Sequence, residues 1–260
     1  MKIIFDEEAH SYKGLIDGKL EPLLNASTFK EQYTPEFNMF PAAAKYAKNH
    51  ELDPKEVMRM WNLKGKASRN YGSGVHETLE GFIKYTTAPV DLYLQYFLLE
   101  YRKLGIKAKS ESREGCERLR IAGILDLVDD STIYDLKTGN FKKKPQGKLL
   151  APFNFLPNNP LGQATLQLNY YRLFEGNEDK DLKVLFWNGE EFEIIELEKI
   201  DLKLIEDEII KYNAMNEEIK KHREGILEML KGWQKEFGEN FEGKDRLEEM
   251  IEEMERLLRE

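Results

Sequence analysis

A single cysteine, Cys116, occurs in the 260 residues of the chain. One thiol cannot build an internal disulfide, a four-thiolate zinc site or a four-cysteine iron-sulfur cluster, so any metal must be held mainly by oxygen and imidazole. Long apolar runs are missing as well: no stretch approaches the roughly 18 to 20 residues needed to span a bilayer. The opening MKIIFDEEAH carries neither the apolar segment nor the cleavage signal of a secretory leader. The expectation is an intracellular, cytoplasmic protein with no membrane partner. There is no G-x-x-x-x-G-K-[ST] loop, so ATP-driven translocation by the chain itself is not expected. Positive charge is also in deficit, with a net charge of -9. That argues against nonspecific coating of nucleic acid, while leaving room for a local basic groove.

What is present suffices for a folded core, since 41% of residues are hydrophobic and 11% aromatic. Residues 3–29 alternate short apolar runs with KG, DG and EP punctuation, which predicts a meander of short strands. From Pro41 the pattern becomes helical, with helices predicted near 41–49, 54–64, 66–85 and 90–103. Strands are expected at about 105–111, 119–128 and 132–137, then a helix at 160–175 and strands near 182–187 and 192–197 split by Asn188-Gly189. The remainder is charged and helix-biased, with Gly238 and Gly243 suggesting a break between two helices. The fold class is therefore α/β, a mixed central sheet flanked by helices with an N-terminal β meander. The domains are predicted as a core over 1–199 and a helical extension over 200–260, most simply a helical hairpin packed on the core.

The chemistry concentrates in AGILDLVDDSTIYDLKTGN, residues 122–140. A turn centred on Asp130-Ser131 makes opposed positions sum to 261, pairing Val128 with Ile133 and Asp126 with Asp135. Directly opposed residues share a face with Cβ atoms about 4.5 to 5.5 Å apart, so two ionised aspartates there repel unless a cation lies between them. Lys137 projects from the same face as Asp135. A hard ion such as Mg²⁺ or Mn²⁺ binds through a few carboxylates and can take a substrate phosphate as a further ligand. With a lysine ammonium beside it, this set suits phosphodiester hydrolysis. The plainer alternative is a charged hairpin with an Asp-Lys pair at its rim.

Two helical groups fit the same picture. Gln167 and Tyr171 stack on one helix face, with Gln163 a turn earlier, where an amide and a phenol could reach a phosphate or hold the lysine, or simply pack and cap. His76 follows Gly72 and Gly74, which would permit close backbone approach, and Glu80 at i+4 could accept its free ring N–H. A lone helical histidine can equally be structural.

In order along the chain, these motifs resemble the PD-(D/E)XK nuclease superfamily, in particular its RecB-like and phage-type exonuclease branch. G-I-L-D, ending at Asp126, resembles the metal-binding aspartate motif, and D-L-K-T-G over 135–139 resembles (D/E)-x-K. G-S-G-V-H, ending at His76, looks like the branch's glycine-histidine motif, and Gln167 to Tyr171 matches Q-x-x-x-Y. Glu111, twelve residues before Gly123, sits where many relatives carry an acid, with Glu114 and Glu117 as nearby competitors. The eponymous proline is absent, Leu125 standing before Asp126, and the lone cysteine excludes iron-sulfur branches. F-D-E-E-A-H-S-Y at the N-terminus is similar to the opening of phage-type relatives.

The resemblance implies a restriction-endonuclease-like core and an exonuclease of DNA recombination, repair or phage DNA processing, prokaryotic or phage-encoded. It implies catalysis by Asp126, Asp135 and Lys137. It also implies Mg²⁺ or Mn²⁺ on His76, Asp126, Asp135, the Leu136 carbonyl and Glu111. DNA is the expected partner, with a helicase or recombinase acting in trans. Lys142, Lys143, Lys144 and Lys148 are candidates for its backbone, or a solvated loop, and Arg113, Arg118 and Arg120 could extend the track. Pro152 to Phe155 reads as an aromatic platform for bases or as a hydrophobic plug. Two other readings stay open: a non-catalytic nucleic-acid-binding or assembly protein with the same fold, and a hydrolase of another phosphate ester.

Overall fold

A computed structural model describes the chain except residues 7–10, 17, 140, 238–243 and 260. Part of the F-D-E-E-A-H-S-Y segment, and both Gly238 and Gly243, therefore lie outside the described residues. The elements run β1 (Lys2–Asp6), β2 (Ser11–Ile16), β3 (Lys19–Asn25), α1 (Ala26–Gln32), α2 (Met39–His50), α3 (Pro54–Tyr85), α4 (Leu92–Lys103), β4 (Lys109–Cys116), β5 (Ile121–Val128), β6 (Thr132–Thr138), α5 (Pro160–Tyr171), β7 (Asp181–Trp187), β8 (Phe192–Glu196), α6 (Leu202–Phe237) and α7 (Lys244–Arg259). No helix of the described residues is long and apolar enough to cross a membrane.

The class is α/β with a mixed eight-stranded sheet, as expected. The meander holds for three strands, but it stops at Asn25, whose side chain accepts the Thr28 N–H at 2.8 Å and starts α1. The helices expected at 54–64 and 66–85 are one. Asp53 and Pro54 supply an N-cap and first-turn proline. Gly65 costs only about 1 kcal/mol inside a helix anchored on either side by Val57 and Val75. The strand expected at 105–111 is displaced to β4, because Gly105 adopts φ +65° just beyond α4 and the chain becomes extended only from Lys109.

Side-chain alternation along β7 assigns the layers. Leu185 and Trp187 pack with Val75, Leu79, Phe97 and Leu98 of α3 and α4. Val184 and Phe186, on the opposite face, pack with Ala164 of α5. Helices therefore cover both faces of the sheet.

One edge of β5 is divided between two neighbours, and this positions the site. β4 pairs antiparallel along the other edge, from Lys109↔Val128 to Cys116↔Ile121. On the shared edge β6 pairs only at Leu127↔Tyr134 and Val128↔Ile133, while β3 pairs in parallel at Leu24↔Ile121 and Asn25↔Ala122. Between them, residues 123–126 have no ladder partner on that edge among the described residues, and the sheet opens there. β6 then crosses through α5 to parallel β7, and Asn188 closes the β7–β8 hairpin by accepting the N–H groups of Glu190 and Glu191 at 2.8 and 3.0 Å.

The chain divides into two compact units, residues 1–205 and 206–260. In the second unit Leu230 of α6 packs with Leu247 and Ile251 of α7, and the Arg223 guanidinium donates to the Leu257 carbonyl at 2.7 Å. Within this unit α6 and α7 pack against each other.

Candidate metal centre

The turn arithmetic is correct where the strands pair and stops at the opening. Leu127↔Tyr134 and Val128↔Ile133 sum to 261, but Asp126 and Asp135 are not ladder partners. Instead the Asp126 Oδ2 accepts the Leu136 N–H at 2.8 Å, its carboxylate replacing the missing strand. The carboxylate opposed to Asp126 comes from the other edge. The β4–β5 register, Ser110↔Leu127 and Ser112↔Leu125, sets Glu111 across from Asp126. Glu111 adopts φ 48°, a left-handed conformation that an L side chain takes only under tertiary constraint.

His76 of α3 completes the group. Ligand atoms of His76, Glu111 and Asp126 all lie within 4.8 Å of one another, and all three residues are half-buried. The His76 Nε2 lies 3.0 Å from the Leu136 carbonyl, and a carbonyl only accepts, so Nε2 carries the proton. Nδ1 then faces Asp126 Oδ1 at 3.6 Å, the tautomer a metal-bound imidazole needs. The group that orients His76 is therefore the Leu136 carbonyl. The expected acceptor, Glu80, is taken by Lys84 at 2.7 Å.

Electrostatics argue for a cation here. Burial and then Asp126 raise the Glu111 carboxyl to about 7. Burial above all raises the Asp126 carboxyl as well; Asp135 adds to this, and His76, Lys137 and the Leu136 N–H only partly offset it. Two acids raised in this way favour the neutral form unless a cation lies beside them. A buried oxygen strengthens the fit: Ser110 Oγ has no hydrogen-bond partner among the described residues, and Ser110 lines a small cavity with His76, Glu111 and Asp126. The donor set of one imidazole and carboxylate oxygens can hold a metal ion. It opens into a cleft of about 420 Å³ lined by Gly72, Ser73, His76, Glu77, Glu80, Glu111, Ile124 and Asp126.

Asp135 and Lys137 form the adjoining half of the site. The Lys137 ammonium lies 2.7 Å from both Asp135 oxygens, and Asp135 is only 3% exposed. Burial alone would lower the lysine, but Asp135 and Asp126 outweigh it and hold its pKa above the ordinary value, so it stays charged. Asp135 is held by Lys137 and is not one of the three residues converging within 4.8 Å.

Sequence reasoning missed Lys30. From α1 its ammonium donates to Gln167 Oε1 at 3.1 Å, and Gln167 Nε2 donates to the Tyr171 hydroxyl at 3.2 Å. Gln167 thus supports Lys30, where support of Lys137 was the expectation. Burial first, then Lys137, lowers the Lys30 pKa, while Asp135 raises it. Nothing in the local sequence marks it, because α1 reaches the site only through the β3–β5 junction.

The glycines act differently from expectation. A Cβ at Gly72 would meet Thr138 Oγ1 at 3.5 Å, an ordinary contact, and one at Gly74 would meet nothing, so neither is required by close approach. Gly123 is required: a Cβ there would lie 2.7 Å from Tyr171 Cε1. Gly139 adopts φ +68°, turning the chain immediately after β6.

The basic loop is divided. Lys142 pairs with Glu193 and lies 5.8 Å from the Phe186 ring centroid, so its charge is spent on β8. Lys143, Lys144 and Lys148 are exposed. Arg113 sits over the Phe5 ring at 5.7 Å. Arg118 and Arg120 lie in the β4–β5 connection. In the aromatic segment Phe153 is a plug, fully buried against Phe29 and Tyr33, while Phe155 is exposed. No family model, curated protein or solved structure matches this chain.

Proposed function

We propose that the chain is a metal-dependent deoxyribonuclease that hydrolyses DNA phosphodiester bonds, built on the restriction-endonuclease-like core its motifs resemble. The observation that carries this reading is the convergence of His76, Glu111 and Asp126 within 4.8 Å, with the buried Asp135 and half-buried Lys137 paired on β6. Mg²⁺ or Mn²⁺ held by His76, Glu111 and Asp126, with Asp135 and the second lone pair of the Leu136 carbonyl adjacent, would supply a Lewis acid for a phosphate and its attacking water. The protein's own groups do the rest. Lys137, kept charged by Asp135, orients the attacking water and offsets negative charge growing on the phosphate. Lys30 adds a second positive charge, and the Gln167–Tyr171 bond fixes where it points. Gly123 leaves the space that Tyr171 occupies against β5.

End-labelled linear, circular and single-stranded DNA, incubated with Mg²⁺, Mn²⁺ or EDTA, test the reading. Products are expected only with metal, and the Lys137→Ala variant is expected to lose at least about 100-fold in rate, as removal of one charge-stabilising donor does elsewhere. Circular dichroism should find that variant folded. A folded wild-type protein that makes no metal-dependent product, or a fully active Lys137→Ala variant, overturns the assignment.

A further inference from the structure

The face of α3 that ends at His76 begins as a row of positive charge. Lys55, Arg59, Asn62, Lys66, Arg69, Ser73 and His76 follow one another at alternating spacings of four and three residues, which keeps them within one stripe of an α-helix. Lys55, Arg59, Lys66 and Arg69 are exposed, and none has an ion-pair partner among the described residues. From Lys55 to Ser73 the stripe contains no acidic residue; acids return only at Glu77 and Glu80, beside the candidate metal centre. In a chain with net charge -9, where Lys84, Lys103 and Lys211 each pair with a glutamate one turn away on their own helix, this row carries four cations and no such partner among the described residues. The side of α3 that carries Val57 and Val75 is buried, and the stripe lies away from it. At about 1.5 Å per residue it runs about 21 Å from Lys55 to Arg69 and about 31 Å to His76.

Resting on the nuclease reading, we infer that this stripe is the track for the single-stranded DNA backbone that leads to the metal centre. Charge complementarity names a polyanion, and continuity with His76 aims it at the site. Straightness selects a single strand. A duplex strand winds once around its axis in about 34 Å, so a straight row this long meets it at one or two places, whereas an unpaired strand can follow the whole row. Each lysine or arginine then neutralises one phosphate, which makes the affinity steeply salt-dependent.

The test compares the full-length wild type, the variant Lys55→Gln/Arg59→Gln/Lys66→Gln/Arg69→Gln, and Lys137→Ala. Glutamine removes charge while keeping helix propensity. Fluorescein-labelled single-stranded and duplex oligodeoxynucleotides are titrated by anisotropy in EDTA over a salt series. The fourfold variant should lose at least tenfold in single-strand affinity at low salt, and its log–log salt slope should be shallower by roughly 3, the value for four lost phosphate contacts. Duplex affinity should fall less. Single-strand affinity and slope like those of wild type overturn the inference, as does a loss confined to duplex. Cleavage separates the two claims. If the wild type cuts DNA with Mg²⁺ and Lys137→Ala does not, the nuclease reading stands whatever the stripe variant does; a wild type that neither binds nor cuts removes both.

Discussion

At the scale of single residues, the centre is a problem in charge. Glu111 and Asp126 are opposed across β4 and β5, and both carboxyls are pushed up, first by burial. The arrangement costs stability unless a cation is present, the trade-off expected where function requires like charges together. Asp126→Asn tests this directly. Its amide oxygen can still accept the Leu136 N–H, but the buried charge is gone. In EDTA at pH 8, where Glu111 is ionised, the variant should be more stable than wild type by on the order of 1 kcal/mol, about one pKa unit's worth of interaction. Urea denaturation measures it, and a clearly destabilised variant would contradict the repulsion argument. Asp126, Asp135, Lys137, His76 and Glu111 were all singled out from the sequence, and His76, Glu111 and Asp126 converge in the structure. Their pairing was not, because Glu111 faces Asp126 through a β4 register that turn arithmetic on the following hairpin cannot reach. Lys30 was illegible for a related reason: a lysine on a short amphipathic helix looks like any other until packing buries it.

At the scale of elements, the β5–β6 turn is held by one side chain. Asp129 Oδ1 accepts the Ser131 and Thr132 N–H groups at 2.8 and 2.7 Å, and Oδ2 accepts the Tyr134 hydroxyl at 3.0 Å. Burial alone would raise its pKa, but these donors win and hold it below the usual value. Asp129→Ala should cost about 1 to 2 kcal/mol, as loss of a capping carboxylate does. A depressed carboxyl contributes its stability above the unfolded pKa of roughly 3.9 and loses it as pH falls through the lower folded value. Denaturation curves of variant and wild type should therefore converge in strong acid; a gap that stays constant with pH would show that charge is not what holds the turn. Gly123 belongs to this scale too. A methyl there meets Tyr171 at 2.7 Å, so Gly123→Ala should destabilise by about 1 to 3 kcal/mol through overpacking, read as a lowered melting temperature. Element types were legible because apolar period and turn chemistry are local. Boundaries were less so: Gly65 looked like a helix break, and only the packing of Val57 and Val75 on either side shows why α3 runs through it.

At the scale of the whole molecule, a metal held in the cleft would be coupled to stability. Any ion that binds the folded centre and not the unfolded chain stabilises by about 2.7 kcal/mol at a hundredfold excess over its Kd. Mn²⁺ or Mg²⁺ should raise the wild-type melting temperature in differential scanning fluorimetry, EDTA should reverse the rise, and Asp126→Asn should show neither. A wild-type melting temperature indifferent to both ions would remove the metal centre.

By itself the sequence determined the α/β class, the β5–β6 turn and its register where the strands pair, and that thiolates could not be the main donors to any metal, since each follows from neighbouring side chains or from a count of one cysteine. Tertiary structure alone decided that β3 and β6 share one edge of β5 and leave it open, and through that opening which carboxylates meet, which lysines join them, and that a carbonyl on β6 orients a histidine on α3. Such contacts join residues far apart along the chain. Their geometry is set by the packing of whole strands and helices, which local pattern does not encode.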